Sequence, residues 1–406
     1  MKYLRLFVFM ATALLLFTEC KKKASFEDLV SINDADQAQE VAFEDMATNI
    51  RIVPLVSDAP IDGVNSIKSY GSTTICRSIN DIIYVFEDGK QIVKFDKKGR
   101  GHGEYTFIAD YLYSPDNKVL SIIDAFTTIH KYSVPDMKYL GSVSLDGVTM
   151  SMAEHDDSTL LCRMVPNNTD KTAICFVSSN TGKVRRIHKD ISAFSMLLSS
   201  DMSYYNPDYR FLAETGSVCS VLEIPADIDQ EEKAILHCNF GDDGIPAEFD
   251  TINEENSNNI AMRLIDVLTE KRESLITVMS FPVINSEYVS FWYDNMTRSR
   301  TTYCRVSKDG VEKYSGFKAK GTNKSITPNT MSKSDYVTIV QGLPETLFDE
   351  SDERSEFSAQ LEKTMKAQAF NNPVLVYYNI KSQTAPILSS FPPKNSNNNK
   401  YSALLQ

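Results

Sequence analysis

Short apolar runs separated by turn residues recur along most of this chain, and their spacing constrains the fold more than any other feature. Ile82-Ile83-Tyr84-Val85-Phe86, a turn, and Ile92-Val93-Lys94-Phe95-Asp96 form one unit. Val119-Leu120-Ser121-Ile122-Ile123-Asp124, a turn, and Ile129-His130-Lys131-Tyr132 form the next. The pattern returns after about 37 residues, and related pairs begin near Leu160 and Tyr209. Glu87-Asp88-Gly89, Lys98-Gly99, Ser114-Pro115-Asp116-Asn117 and Asn180-Thr181-Gly182 supply the turn chemistry between strands. Strands at this density with few helical windows describe an all-β sandwich, barrel or propeller. Repeats of roughly 40–50 residues with four strands each narrow this to a propeller. A lone blade cannot bury both of its faces, so the ring must close. Periodicity alone leaves the blade number open.

Composition agrees. Tyr and Phe are plentiful, 19 and 21, against a single Trp, a bias toward strands. A chain of 406 residues would ordinarily divide into two or three domains, but a propeller makes one unit of this size. The formal charge of −12 argues against nucleic acid as a partner, since displacing its counterions needs a basic face.

The N-terminus carries an address. Lys2 and Arg5 precede an apolar run from Leu6 to Phe17, too short to span a bilayer and of the length of an export signal. Cys20 follows, then Lys21, Lys22 and Lys23. This resembles a bacterial lipoprotein signal, which implies lipidation of Cys20, although Glu19 stands where such signals carry a small residue. Residues 1–19 therefore read as signal, 20–44 as a polar tether, 45–385 as propeller and 386–406 as a polar tail. The lipid would be the sole membrane attachment. The lysines after Cys20 differ from the acidic stretch that resembles surface-export signals, which favours the periplasmic side.

Four segments carry a resemblance to a known family. Asp96-Lys97-Lys98-Gly99-Arg100-Gly101-His102-Gly103-Glu104-Tyr105 resembles the DKKG-GRGPGEY hallmark of the six-bladed β-propeller lipoproteins of Bacteroides-type bacteria, with His102 in place of the proline. Arg51-Ile52-Val53-Pro54-Leu55, Phe240-Gly241-Asp242-Asp243-Gly244-Ile245-Pro246 and Asn372-Pro373-Val374-Leu375-Val376-Tyr377-Tyr378 match other segments in the same order. The resemblance implies six blades of four antiparallel strands and an envelope location. It brings no settled activity and no catalytic residues. Two stretches of helical spacing, 258–271 and 355–369, are expected as insertions decorating the ring.

Catalytic signatures are missing. The chain has no GxSxG, HExxH, Walker or Rossmann motif and no CxxC, and its five histidines are scattered. No cofactor or metal is expected. The loop 99–105 reads first as a structural crossing between blades, its glycines allowing positive φ, Tyr105 anchoring the next strand and Glu104 bonding loop amides. A ligand there would meet Arg100, His102 and Glu104. Tyr205, Tyr209 and Arg210 form a second candidate patch, suited to stacking sugars. Cys162 and Cys175 are symmetric about a turn, as are Cys219 and Cys238, so each pair is a candidate disulfide if the strands face in register.

Three functions stay open on these residues. The leading one is an envelope-anchored binding or scaffold propeller for a glycan, peptide or protein partner. The alternatives are a carbohydrate-active lyase or hydrolase acting at the channel mouth, and a purely structural or sensory envelope component. Fold analogy does not choose among them.

Overall fold

The computed structural model describes residues 26–32, 38–167, 169, 173–190, 205–206, 211–214, 216–249, 257–284, 287–295, 297, 301–332, 335–348 and 353–381. The chain enters with β1 (Phe26–Ser31), β2 (Gln39–Ala42), a single helical turn α1 (Phe43–Met46) and β3 (Ala47–Pro54). Blade I is β4 (Val64–Tyr70), β5 (Thr73–Ser78), β6 (Ile83–Glu87) and β7 (Lys90–Phe95). Blade II is β8 (Ile108–Ser114), β9 (Val119–Asp124), β10 (Thr128–Ser133) and β11 (Tyr139–Ser144). Blade III is β12 (Gly147–Asp156), β13 (Thr159–Pro166), β14 (Ala173–Ser178) and β15 (Val184–Asp190). Blade IV is β16 (Tyr205–Asn206), β17 (Phe211–Glu214), β18 (Cys219–Glu223) and β19 (Lys233–Asn239). Helix α2 (Ser257–Glu270) leads to blade V, which is β20 (Ile276–Ile284), β21 (Tyr288–Asn295), β22 (Thr301–Ser307) and β23 (Gly310–Lys318). Blade VI takes β24 (Thr330–Ser332), β25 (Asp335–Val340) and, after α3 (Pro344–Leu347) and α4 (Glu356–Lys366), β26 (Val374–Ile380). Its fourth strand is β3, brought from the other end of the chain. The fold is a six-bladed β-propeller.

Burial is graded from strand to strand. In β6, Ile83, Tyr84, Val85 and Phe86 are all buried, because a central strand is covered on both faces by neighbouring blades. The outermost strand β11 alternates half-buried and exposed residues. The hairpin between β6 and β7 turns through Asp88 and Gly89, both at positive φ, which selects the Asp-Gly pair. A side chain at position 89 would also strike the carbonyl of Pro54.

The core is a set of seams rather than one centre. Phe95, Tyr105, Ile122 and Tyr132 fill the seam between blades I and II. Ile123, Leu160, Cys162 and Val177 fill the next. The last seam, between blades VI and I, holds Leu55, Ile67, Phe86, Val337 and Leu375. First strands approach one another around the axis, β8 against β12, β16 against β20 and β24 against β4.

The two helical insertions fall where the spacing placed them, at α2 and α4. Ser355 caps α4 by accepting a hydrogen bond from the Ser358 N–H. The segment read as a tether, 20–44, differs from expectation. Strand β1 pairs in parallel with β19, and β2 with β23, so each becomes a fifth strand on its blade. An outermost strand presents a row of unpaired N–H and C=O groups, and an added strand satisfies them without needing an apolar period of its own. That is why these residues look featureless as sequence.

Successive strands alternate in direction, so connections emerge at two ends of the ring. At one end they are mostly tight turns, such as Gly71-Ser72, Asp88-Gly89 and Asp157-Ser158. The other end carries the connections 96–107 and 319–329, helix α2, and helices α3 and α4.

Candidate functional site

The connection 96–107 runs from β7 of blade I to β8 of blade II and lies against the outer strands of blade II. Its shape is set from within. The Gly99 N–H donates to the Tyr105 carbonyl at 2.9 Å and the Tyr105 N–H to the Lys97 carbonyl at 3.1 Å. The Gly101 N–H donates to Glu104 Oε2 at 2.7 Å. Tyr105 is fully buried, and its hydroxyl donates to the Asp81 carbonyl at 2.7 Å. Glu104 bonds a loop amide as expected, whereas Tyr105, expected to anchor the next strand, ties the loop back to blade I through the carbonyls of Asp81 and Phe95.

The glycines differ from expectation in one respect. Only Gly103 has positive φ, +70°, and a side chain there would press on the ring of Tyr139. Gly99 and Gly101 are small for another reason: the Glu104 carboxylate occupies the space their β-carbons would need. With the amides of Gly99, Gly101 and Glu104 already committed within the loop, a phosphate cradle has little left to offer.

Beneath the loop lies a chain of polar groups that the sequence did not bring together. Asp124, at the end of β9, accepts from the Thr106 N–H and hydroxyl at 2.8 Å each and from the Phe107 N–H at 3.0 Å through Oδ1. Its Oδ2 faces His130 Nε2 at 3.4 Å, and His130 Nδ1 faces the Tyr139 hydroxyl at 3.4 Å. Burial opposes ionisation of Asp124, but the donors of Phe107, Thr106 and His130 outweigh it and hold its pKa below the ordinary carboxylate value. A carboxylate only accepts, so Nε2 of a neutral His130 carries the proton and Nδ1 accepts from Tyr139. The His102 ring stands edge-on to Tyr139 with centroids 4.8 Å apart, and Tyr139 tilts against Tyr132 at 5.6 Å. The Tyr132 hydroxyl donates to the Gly103 carbonyl at 3.3 Å. His102 and Arg100 are exposed, and among the described residues Arg100 makes no ion pair or hydrogen bond.

Asp124 also ties the loop to blade II in a pH-dependent way. Because its folded pKa lies below the unfolded value of about 3.9, its stabilisation is complete above that value and disappears as pH falls through the folded one. Asp124→Ala is expected to cost about 1.5–3 kcal/mol at pH 7, the range for hydrogen bonds to a charged group. The difference from the parent protein should shrink in urea melts repeated toward pH 3. A deficit independent of pH would mean the carboxylate charge is not what holds the loop.

The other candidates lie elsewhere. Tyr205 begins blade IV, three blades from blade I, so it does not join Arg100, His102 and Glu104. Tyr209 and Arg210, like Cys20, lie outside the described residues. His155 and His188 both pack on Phe176 in blade III, and His237 meets the Ser220 hydroxyl at 2.9 Å in blade IV. Among the described residues, no group of acidic, histidine or cysteine side chains is arranged to hold a metal.

Near the axis the prominent carboxylates are Asp110 and Glu154. Asp110 is 2.7 Å from Lys68 Nζ of blade I and accepts the Met152 N–H of blade III at 2.8 Å, so it stitches three blades. Burial pushes the Glu154 carboxyl up, aided by the charges of Asp157, Asp116 and Asp156. Its partner is the Ser114 hydroxyl at 3.4 Å.

The model of a family described as DUF5128, 6-bladed beta-propeller, matches residues 21–326. The chain belongs to that family. A crystal structure of a Bacteroides fragilis protein described as exported aligns over 87% of this chain and 100% of its own, at 14% identity and a TM-score of 0.59. That likeness shows the shared fold. A DUF4221 family member from Bacteroides vulgatus aligns over 82% of this chain and 97% of its own, at 9% identity and a TM-score of 0.44. No curated protein matches.

Proposed function

We propose that this family member is an envelope-held binding module whose ligand docks on the loop-bearing end of the ring, over the seam between blades I and II. The observation that carries the reading is the pair Arg100 and His102, exposed on a loop whose shape is fixed by its own bonds through Glu104, Tyr105 and Asp124. A preorganised loop loses little freedom on binding, so contacts made there go largely into affinity. Arg100 offers an exposed charge, and the His102–Tyr139 pair offers a ring surface for a planar group or a sugar face. The ligand is a glycan, a peptide or a segment of an envelope protein. Lipidation at Cys20, which the signal residues Lys2 to Cys20 support, would hold the module at the membrane, and Lys21 to Lys23 favour the periplasmic side.

A carbohydrate-active enzyme is the second reading. The feature favouring it is the Asp124–His130–Tyr139 chain, which lies in the same seam rather than at the channel mouth.

A panel of labelled glycans and peptides, offered to the full chain and to an Arg100→Ala/His102→Ala double variant, tests the site. The double variant should bind at least about tenfold more weakly, equivalent to about 1.4 kcal/mol. Equal binding by both proteins would overturn the location. Silence toward both classes would overturn the glycan and peptide readings. Appearance of cleaved or unsaturated sugar products would replace binding with catalysis.

A further inference from the structure

Six cysteines fall within the described residues, and four of them stand in two facing pairs. Cys162 of β13 is directly opposite Cys175 of β14, and Cys219 of β18 directly opposite Cys238 of β19. Cys76 faces Ile67 and Tyr84, and Cys304 faces Phe291 and Lys313, so neither has a cysteine across from it. In the structure all six are thiols.

We infer that the two facing pairs are sites of oxidative modification, each closing a disulfide between neighbouring strands of one blade while the chain folds, and closed to oxidants once the ring is complete. Facing β-carbons on paired strands lie about 4.5–5.5 Å apart. A disulfide asks for about 3.5–4.5 Å, so the strands need only tighten slightly. Two S–H bonds break and one S–S bond forms. The two electrons break the S–S bond of a disulfide-type oxidant, and the two protons pass to its sulfurs, giving two thiols. The cell would supply that oxidant in the export compartment.

The second half of the inference follows from burial. Cys162, Cys175 and Cys238 are wholly inaccessible and Cys219 nearly so, on strands covered from both sides by neighbouring blades. Exchange requires a thiolate within reach of the attacking disulfide. Burial pushes the Cys162 thiol well up, and the Cys219 thiol and burial together do the same for Cys238. A chain that folds reduced should therefore stay reduced.

The test uses full-length protein carrying Cys20→Ser, so that six thiols remain. One sample is denatured, reduced and refolded in a buffer of reduced and oxidised glutathione. A second is folded under reduction and then moved to the same buffer. Thiols are counted after acid quenching and unfolding, and the bonds are located by peptide mapping. The first sample should keep two thiols, at Cys76 and Cys304, with Cys162–Cys175 and Cys219–Cys238 linked. The second should keep all six over the same hours. A further Cys175→Ser change should leave three thiols after oxidative refolding, since only the blade IV pair can then close. Six thiols in the first sample would overturn the pairing. Loss of thiols from the folded sample as fast as from the unfolded one would overturn the lock. A Cys238–Cys304 bond, which would bridge blades IV and V, would also refute the assignment.

Discussion

A chain that begins at Leu55 is expected to lose cooperative folding, although the four antiparallel strands of each of blades I to V are intact. The missing strand β3 supplies the fourth strand of blade VI, pairing Pro54 with Val374, Val53 with Leu375, Ile52 with Val376 and Arg51 with Tyr377. Without it, β26 exposes a full edge of backbone donors and acceptors. The truncation also removes Phe43 and Met46, both buried. Phe43 packs on Phe357 at 4.8 Å and on Tyr378 at 5.0 Å. Deleting two such side chains alone costs about 5–10 kcal/mol, comparable to the total stability of about 5–15 kcal/mol typical of a folded protein. β1 and β2 are lost too, opening the edges of blades IV and V. Circular dichroism melts and size-exclusion chromatography should show a broad or absent transition and aggregation. Adding a synthetic peptide of residues 38–56 should restore part of the transition. A sharp melt at the parent temperature without peptide would show that the ring does not depend on this closure.

The second large effect concerns Asp110. Its carboxylate is buried between three blades, 2.7 Å from Lys68 Nζ and accepting the Met152 N–H at 2.8 Å. Removing one partner of a buried ion pair typically costs about 3–5 kcal/mol, because the remaining charge loses its compensation. Asp110→Ala should fall in that range in urea unfolding at pH 7. Asp110→Asn keeps an acceptor for Met152 but not the charge, so it should cost clearly less than alanine. Changes below about 0.5 kcal/mol for both variants would mean that apolar seams alone set the blade order near the axis.

These two expectations mark different degrees of legibility. The strand–turn–strand pattern at Ile82 and Val119 was readable because side-chain alternation and turn chemistry are local. The facing of Cys162 with Cys175 followed from symmetry about a turn, and the register bears it out. Glu104 was readable in its structural role because the amide it accepts from lies in the same loop, whereas the Tyr105 hydroxyl reaches back to the Asp81 carbonyl between β5 and β6. Asp124, His130 and Tyr139 were not, since only the hairpin registers of blade II and the draped loop put them side by side. The edge strands β1 and β2 were hidden for a related reason: their pattern is imposed by the blade each one joins.

Residue order alone was enough to specify many short strands, the turns between them and the need for neighbouring sheets to cover one another, because each follows from backbone sterics and apolar spacing over a few residues. Closure decided the rest. Which strand completes blade VI, which carboxylate joins three blades and which loop covers His130 depend on segments far apart in the chain. Those choices exist only once the seams have packed, since a contact across a seam has no trace in the residues on either side of it.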